Sequence, residues 1–441
     1  MSKYCMTLAA TLLVAHSVLP VAAQAQGAAP ISWWYETATP ENKKQLQQLL
    51  IQPFNEAHPE YRLNIDYRGA ELDKQLRVAM LSRRGPDIVY TAGPSYVATI
   101  ANAGQLLPLD GYAAKLGWND RLLPLFLEMG KYKGKLYALP KTYETMGMFY
   151  NKTLFDKEGW QPPKNIAELE KLAEAMKAKG ITPFAAGNAD WRAANEHYVT
   201  LALNTIAGPD NIYKALNGEL PWTAEPFVKA ISTLQQWWQK GYFGANYFSL
   251  TQEQAFAQVA SGKAGIAPSG TWNFSYIPTY FPASHSEAGF APFPTGEGVD
   301  YPVYPLGVGS TFSIAASSKN PDGAAAVIDY VFSENFYSKI NSVWQGEWNT
   351  PLKDLSHVQL DAKVLPLYTE TMKNLAGAVA QNHYGYTSWT FLPPATDSYL
   401  VNAIEQVWLG QMSVKDFLTT LDATYQQEKK DGKVPTIPPR Q

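Results

Sequence analysis

The chain has 441 residues, 46% of them apolar, with 36 basic and 39 acidic side chains and a formal net charge of −3. That length suits two or three domains with sizeable cores, and the near-neutral balance offers no electrostatic footprint for nucleic acid or an anionic membrane surface. The six histidines show no HExxH-type spacing, and the single cysteine, Cys5, excludes a disulfide framework.

Lys3 opens a short positive stretch, followed by an apolar run from Met6 to Val21. Ala23-Gln24-Ala25 then supplies the small-x-small pattern of a signal peptidase site. The segment reads as a secretory signal peptide over residues 1–25, cut near Ala25. The run is too short and interrupted for a spanning helix, which needs about 20 apolar residues. Cys5 precedes it and lacks a lipoprotein-type flank. The mature chain then has no cysteine, its charge moves from −3 to −4 with the loss of Lys3, and a periplasmic location is expected.

"ISWWYE" at 31–36 follows as a short strand. Successive side chains point to opposite faces, so Trp33 and Trp34 cannot share one core. "TPENKKQLQQLLIQPFNEA" reads as a helix, with Thr39 as cap, Pro40 in the first turn and Leu46, Leu49, Leu50 and Phe54 on one face. Pro53 predicts a kink in it. "YRLNIDY" alternates as a strand, a helix carries Leu72, Leu76 and Ala79, and "GPDIVYT" reads as a buried strand. This βαβαβ order implies a parallel sheet covered by helices.

Further on, Asn165 caps a helix that stops at Gly180, with Glu168 completing a capping box. Ala324, Val327, Ile328, Val331 and Phe332 mark another helix, as do Leu400, Ala403, Ile404, Val407 and Trp408. Ser413 and Asp416 pair as a cap, and the proline-rich tail "KVPTIPPRQ" reads as disordered. Trp237 and Trp238 sit on an apparent helix and suit packing, whereas Trp344 and Trp348 around "QGE" have no assigned role. The 13 Trp and 26 Tyr suit large cores, or a cleft that stacks on a flat, partly apolar ligand.

Four stretches stand in a telling order. They are "GPDIVYTAGPSYVATIANAGQLLPLD", "YKGKLYALPKTYETMGMFYNKTLFDKEGWQPPKNIAEL", "FAQVASGKAGIAPSGTWN" and "LGVGSTFSIAASSKNPDGAAAVIDYVFSE". Together they resemble the extracellular solute-binding proteins of ABC importers, in the carbohydrate-binding branch of the maltose-binding protein family. The resemblance spans nearly the whole mature chain.

It implies an α/β, two-lobed periplasmic binding protein fold of type II, with each lobe a central sheet flanked by helices. A sugar would bind in the cleft at the hinge, and the lobes would close on it. The implied division is 26–141 plus 309–354 for the N-terminal lobe and 142–308 plus 355–441 for the other, with crossovers near 139–143, 305–310 and 351–355. Pro140 and the Gly307/Gly309 pair suit a hinge, although glycine there also suits close packing. The implied function is the substrate-binding subunit of a sugar importer, a monomer that delivers a mono- or oligosaccharide to a membrane permease without catalysis, cofactor or metal.

The resemblance and the end-of-strand position of ligands in open α/β sheets give the expected ligand contacts. At the first strand these are Trp34, Tyr35 and Glu36, with Trp33 packing inward. Arg68 follows the second strand, with Glu71 as a weaker companion. Tyr143 and Glu144 lie at the hinge, where the family carries a ligand-contacting glutamate. "NADWR" supplies Asp190, Trp191 and Arg192. Trp272 of "GTWNF" matches the family's ligand-stacking tryptophan, with Asn273 beside it. Gly307, Trp389 and Tyr386 come from the crossing strand and the C-terminal region. Each of these has a plain alternative in core packing or an ordinary surface charge.

Two other classes stay open. Glu36, Glu144 and Asp190 offer the carboxylates of a secreted glycosidase. No Gly-x-Ser-x-Gly elbow or phosphate-binding glycine loop accompanies them. The same fold also carries polyamine, iron and anion binders, and Arg68 or Arg192 would pair bidentately with an acidic sugar.

Overall fold

The computed structural model describes residues 27–440 apart from 186, 190 and 191. The signal-peptide reading therefore lies outside the described residues, as do the expectations on Asp190 and Trp191.

Two sheets organise the molecule. The first begins with β1 (Ala29–Tyr35), β2 (Tyr61–Tyr67) and β3 (Ile88–Thr91). β1 runs parallel to both neighbours, with Trp33 opposite Ile65 on one side and Ile88 on the other. A hairpin of β4 (Lys131–Tyr132) and β5 (Lys135–Leu136) follows. Then come β6 (Leu139–Glu144) and β7 (Met146–Asn151), which belong to different sheets. β8 (Thr182–Phe184), β9 (Ala264–Gly270) and β10 (Ala288–Ala291) complete the second sheet, in the order β10-β7-β9-β8. β11 (Pro305–Ile314) and β12 (Gly385–Tyr386) return to the first, ordered β12-β11-β3-β1-β2 with β6 also on β11.

The helices form where the pattern predicts. Thr39 and Asn42 close a reciprocal capping box on the helix Pro40–Leu46. Pro53 cannot donate to the turn before it, and the structure answers with a wide π turn rather than a sharp kink. In that segment, Gln47–Ile51, the Gln52 N–H reaches back to the Gln47 carbonyl. The helix continues as Gln52–Ala57 and keeps Leu46, Leu50 and Phe54 fully buried, each worth about 1.5–3 kcal/mol of apolar burial. Asn165 Oδ1 accepts from the Glu168 N–H at 2.9 Å at the start of Ile166–Ala178.

The helix Ala193–Ala202 is buried at every position, Glu196 and His197 included. An all-round buried helix belongs in the middle of a large core. Trp237 is buried, while half-buried Trp238 stacks on Trp408 at 5.7 Å. Trp348 lies in the first core, stacked on Tyr35 at 6.2 Å, and Trp344 meets it edge-on.

The proline-rich tail is placed, contrary to the disorder its composition suggests. After the helix Val414–Lys430, the Asp431 and Gly432 carbonyls accept from Asn102 and from the Tyr132 hydroxyl, at 3.3 and 2.8 Å. Thr436 Oγ1 donates to the Lys131 carbonyl at 3.1 Å. The Pro438 and Pro439 carbonyls then accept from the hydroxyls of Tyr386 and Tyr384, and Arg440 pairs with Asp210. Proline supplies fixed φ and free carbonyls, which side-chain donors can hold without a sheet.

Candidate functional site

The seam between the two sheets collects polar groups from segments far apart in sequence. Its first network starts at Glu36, directly after β1. Glu36 Oε1 accepts from the Tyr90 hydroxyl at 2.6 Å, and the same hydroxyl meets Ser310 Oγ. Lys141, fully buried on β6, donates to Tyr90 Oη at 3.0 Å and to Glu347 Oε1 at 2.6 Å. Its ammonium also lies 4.5 Å from the Trp348 ring centre. A buried ammonium needs this much partnership. Burial pushes Glu36 up to about 7 and Glu347 adds to the rise, against the pull of Lys141.

The second network surrounds Glu144 at the end of β6. Its carboxylate accepts from Trp389 Nε1 at 3.1 Å and is 4% exposed. Burial, then repulsion from Glu347, pushes its pKa up to about 8. β11 makes room for it. A Cβ at Gly309 would stand 2.4 Å from Glu144 Oε2, and one at Gly307 would stand 3.0 Å from both Glu144 Cγ and Trp389 Cζ2. Trp389 and Trp272 meet edge-to-face at 5.7 Å. Half-buried Trp272 is held by its Nε1–H donating to Gln252 Oε1 at 3.2 Å and by the His197 ring at 5.4 Å. Burial drives His197 down to about 3, so the imidazole is neutral.

Two close approaches fix the seam. Ser95 Oγ donates to the Trp389 carbonyl at 3.0 Å, across from the helix Pro94–Asn102. Gly346, with φ of +89°, lies against the Thr271 carbonyl, which a Cβ would meet at 2.0 Å. Beside the seam a cavity of about 580 Å³ opens, lined from one side by Asp73, Arg77, Thr91 and Tyr96 and from the other by Pro394 and Ser398. This volume falls in the range of small-molecule sites.

The sequence of residues 37–335 matches the model of the bacterial extracellular solute-binding protein family. The chain belongs to that family. An uncharacterised ABC transporter extracellular-binding protein of Pyrococcus horikoshii is 24% identical over 70% of this chain and 69% of its own length. A probable sugar-binding periplasmic protein of Brucella suis is 32% identical, over 46% of this chain and only 48% of its own. Among solved structures, a chitin oligosaccharide binding protein superposes with a TM-score of 0.78 at 21% identity, over 91% of this chain and 98% of that one. The likeness establishes the two-lobed solute-binding fold for this chain.

Within this solute-binding protein the expected contacts divide. Glu36, Glu144, Gly307, Trp272 and Trp389 come together at the seam. Tyr35 lies in the core, 0% exposed, enclosed by Trp33, Tyr67, Tyr90 and Trp348. Tyr143 packs on Phe126 at 5.0 Å, and Asn273 Nδ2 donates to Ser269 Oγ at 2.8 Å. Both are buried in this arrangement, and so is Tyr386, whose hydroxyl holds the tail. Half-buried Trp34 carries the Arg68 guanidinium 4.0 Å from its ring centre, and Arg68 also pairs with Asp66. Arg192 is exposed, 3.7 Å from Glu405, and Glu71 pairs with Lys74.

Sequence reasoning passed over Tyr90, Lys141, Glu347, Glu196, His197 and Asp397. One signal was available. A lysine inside "LPKTYE", and a Glu-His pair inside the apolar run "AANEHYVTLAL", are charges where the pattern demands burial.

Proposed function

We propose that this protein is the substrate-binding subunit of an ABC sugar importer, which holds a mono- or oligosaccharide between its lobes and hands it to a membrane permease. The observation that carries the reading is the pair Trp272–Trp389 beside buried Glu144. Indole faces pack on the C–H faces of a sugar, and a carboxyl oxygen accepts from its hydroxyls. The family membership supports a binding rather than a catalytic role. The relative in Brucella suis, described as sugar-binding, favours saccharides over polyamines or iron. The protein works as a periplasmic monomer released by cleavage near Ala25. Its lobes comprise about 26–141 with 309–354, and 142–308 with 355–441. Sugar contacts made to both lobes at once shift the population toward the closed form.

Thermal unfolding of the mature protein against mono- and oligosaccharides, polyamines and iron tests this. A ligand of the folded state adds about 2.7 kcal/mol at 100 Kd. The expected result is an upward shift with one saccharide class and recovery of that sugar intact. A shift with polyamine or iron alone would remove the sugar assignment, and cleaved sugar would remove the non-catalytic one.

A further inference from the structure

The cavity of about 580 Å³ beside the seam carries groups that the two networks do not use. Two helices wall one side of it, with Asp73 on Leu72–Leu81 and with Tyr96 and Thr99 on Pro94–Asn102. Ser398 and Tyr399, on the helix Pro394–Trp408, wall the other. Tyr399 is braced by stacking on Phe417 at 5.5 Å. The buried Oγ1 of Thr99 meets no hydrogen-bond partner among the described residues. Burial raises Tyr96, so its hydroxyl keeps its proton at neutral pH and can donate. Asp73, pushed by burial only to about 6, is mostly a carboxylate at pH 7 and accepts.

The cavity adjoins the tryptophan pair without including it. Ser95, next to Tyr96 in the chain, holds the Trp389 carbonyl at 3.0 Å. The Asp73 charge acts on Glu36 of the first network as well as on Tyr96. None of Glu144, Trp272 and Trp389 lines the cavity. Glu196 and Asp397 are not among its walls either; they bond to each other and to Ser388. What faces the space is two aromatic rings, two aliphatic hydroxyls, a phenol and a carboxylate. That mixture suits a pyranose, which offers C–H faces to rings and hydroxyls that both donate and accept. The volume is enough to enclose a small molecule in its own right.

We infer that this cavity receives a further glycosyl unit of the ligand, beyond the one stacked at Trp272 and Trp389, so that the substrate is an oligosaccharide rather than a monosaccharide. The inference rests on the proposed sugar-binding role. A sugar hydroxyl in the cavity gives Thr99 Oγ1 the partner it lacks, and an unpaired buried polar group is costly. A unit held between Tyr96 and Tyr399 also touches helices on both sides of the cavity, which adds contacts available only when the two sides are together.

The test is calorimetric titration of the mature protein at pH 7 with the mono-, di- and trisaccharides of the malto, xylo and chito series. In the series that binds, the trisaccharide should bind at least about tenfold more tightly than the monosaccharide. Ser398→Trp, at an exposed position, fills the cavity and should reduce that ratio to about threefold or less. Thr99→Val keeps the side-chain shape, removes the unpaired hydroxyl and should reduce the ratio about threefold. Circular dichroism checks that both variants are folded, and Thr99→Val alone decides the matter if Ser398→Trp is not. A wild-type protein that binds the monosaccharide as tightly as the trisaccharide overturns the subsite and leaves the sugar-binding role standing. So does a ratio that the folded variants leave unmoved. Failure of every sugar to bind would instead overturn the sugar-binding role itself.

Discussion

Glu144 is a carboxylate held where its charged form is poorly solvated. One pKa unit is about 1.4 kcal/mol, so a rise from 4.5 to about 8 represents on the order of 5 kcal/mol of electrostatic cost at high pH. The sign follows from proton counting. Between about 4.5 and about 8 the folded chain holds a proton that the unfolded chain has released, so stability falls as pH rises through that window. Glu36 and Asp397, each raised to about 7, add the same slope. The melting temperature should therefore decline from pH 5 to pH 8.5, and Glu144→Gln should flatten the decline. A profile that climbs over this range, or one that Glu144→Gln leaves unchanged, would refute the account. The two adjacent tryptophans of β1 make a second residue-scale contrast. Trp33→Ala empties a fully buried site and should cost about 3–5 kcal/mol in chemical denaturation. Trp34→Ala loses a half-buried ring and its guanidinium partner and should cost about 1–2 kcal/mol.

At the scale of elements, most of the fold was legible and most of the site was not. Strand alternation and caps such as Asn165 are local signals, and the first parallel strands and the capped helices follow them. Proline at 53 marked a disturbed helix, but its form, a π turn, depends on which carbonyl the next amide reaches. The seam is a long-range product. Lys141 and Glu347 are 206 positions apart, and Trp389 is 245 from the glutamate it bonds, so no local pattern pairs them. Resemblance pointed to Glu144 and Trp272; it could not show that Tyr35 turns inward or that the Arg68 guanidinium sits over the Trp34 ring. The glycines of β11 illustrate the gap. From sequence they suited either a hinge or close packing, and the position of the Glu144 carboxylate against Gly309 favours packing. Gly309→Ala would force that carboxylate aside. It should lower sugar affinity at least about tenfold, roughly 1.4 kcal/mol, while the circular dichroism spectrum stays native. Unchanged affinity would separate Glu144 from ligand binding.

At the scale of the whole molecule, the chain passes between the sheets at β6–β7, at β10–β11 and after Leu352. The first core holds Trp348 and Leu352, and the second resumes at Val364. The tail adds a further link, running from the end of the helix Val414–Lys430 to Tyr132 and Asn102 and back to Tyr384 and Tyr386. Whatever spans a hinge must deform or let go when the hinge moves. A chain ending at Lys430, which removes Asp431 and Gly432 with the rest of the tail, should show a larger radius of gyration by small-angle scattering and a several-fold weaker sugar affinity, about 1 kcal/mol. Equal values for the two chains would make the tail a passenger. The same path bears on how the molecule can be handled. A purification tag or fluorescent fusion joined after Gln441 would load the strand of chain that ties the two halves together, and could be read as a property of the ligand. A position just ahead of Ala29, where β1 begins, keeps such a load off that strand of chain.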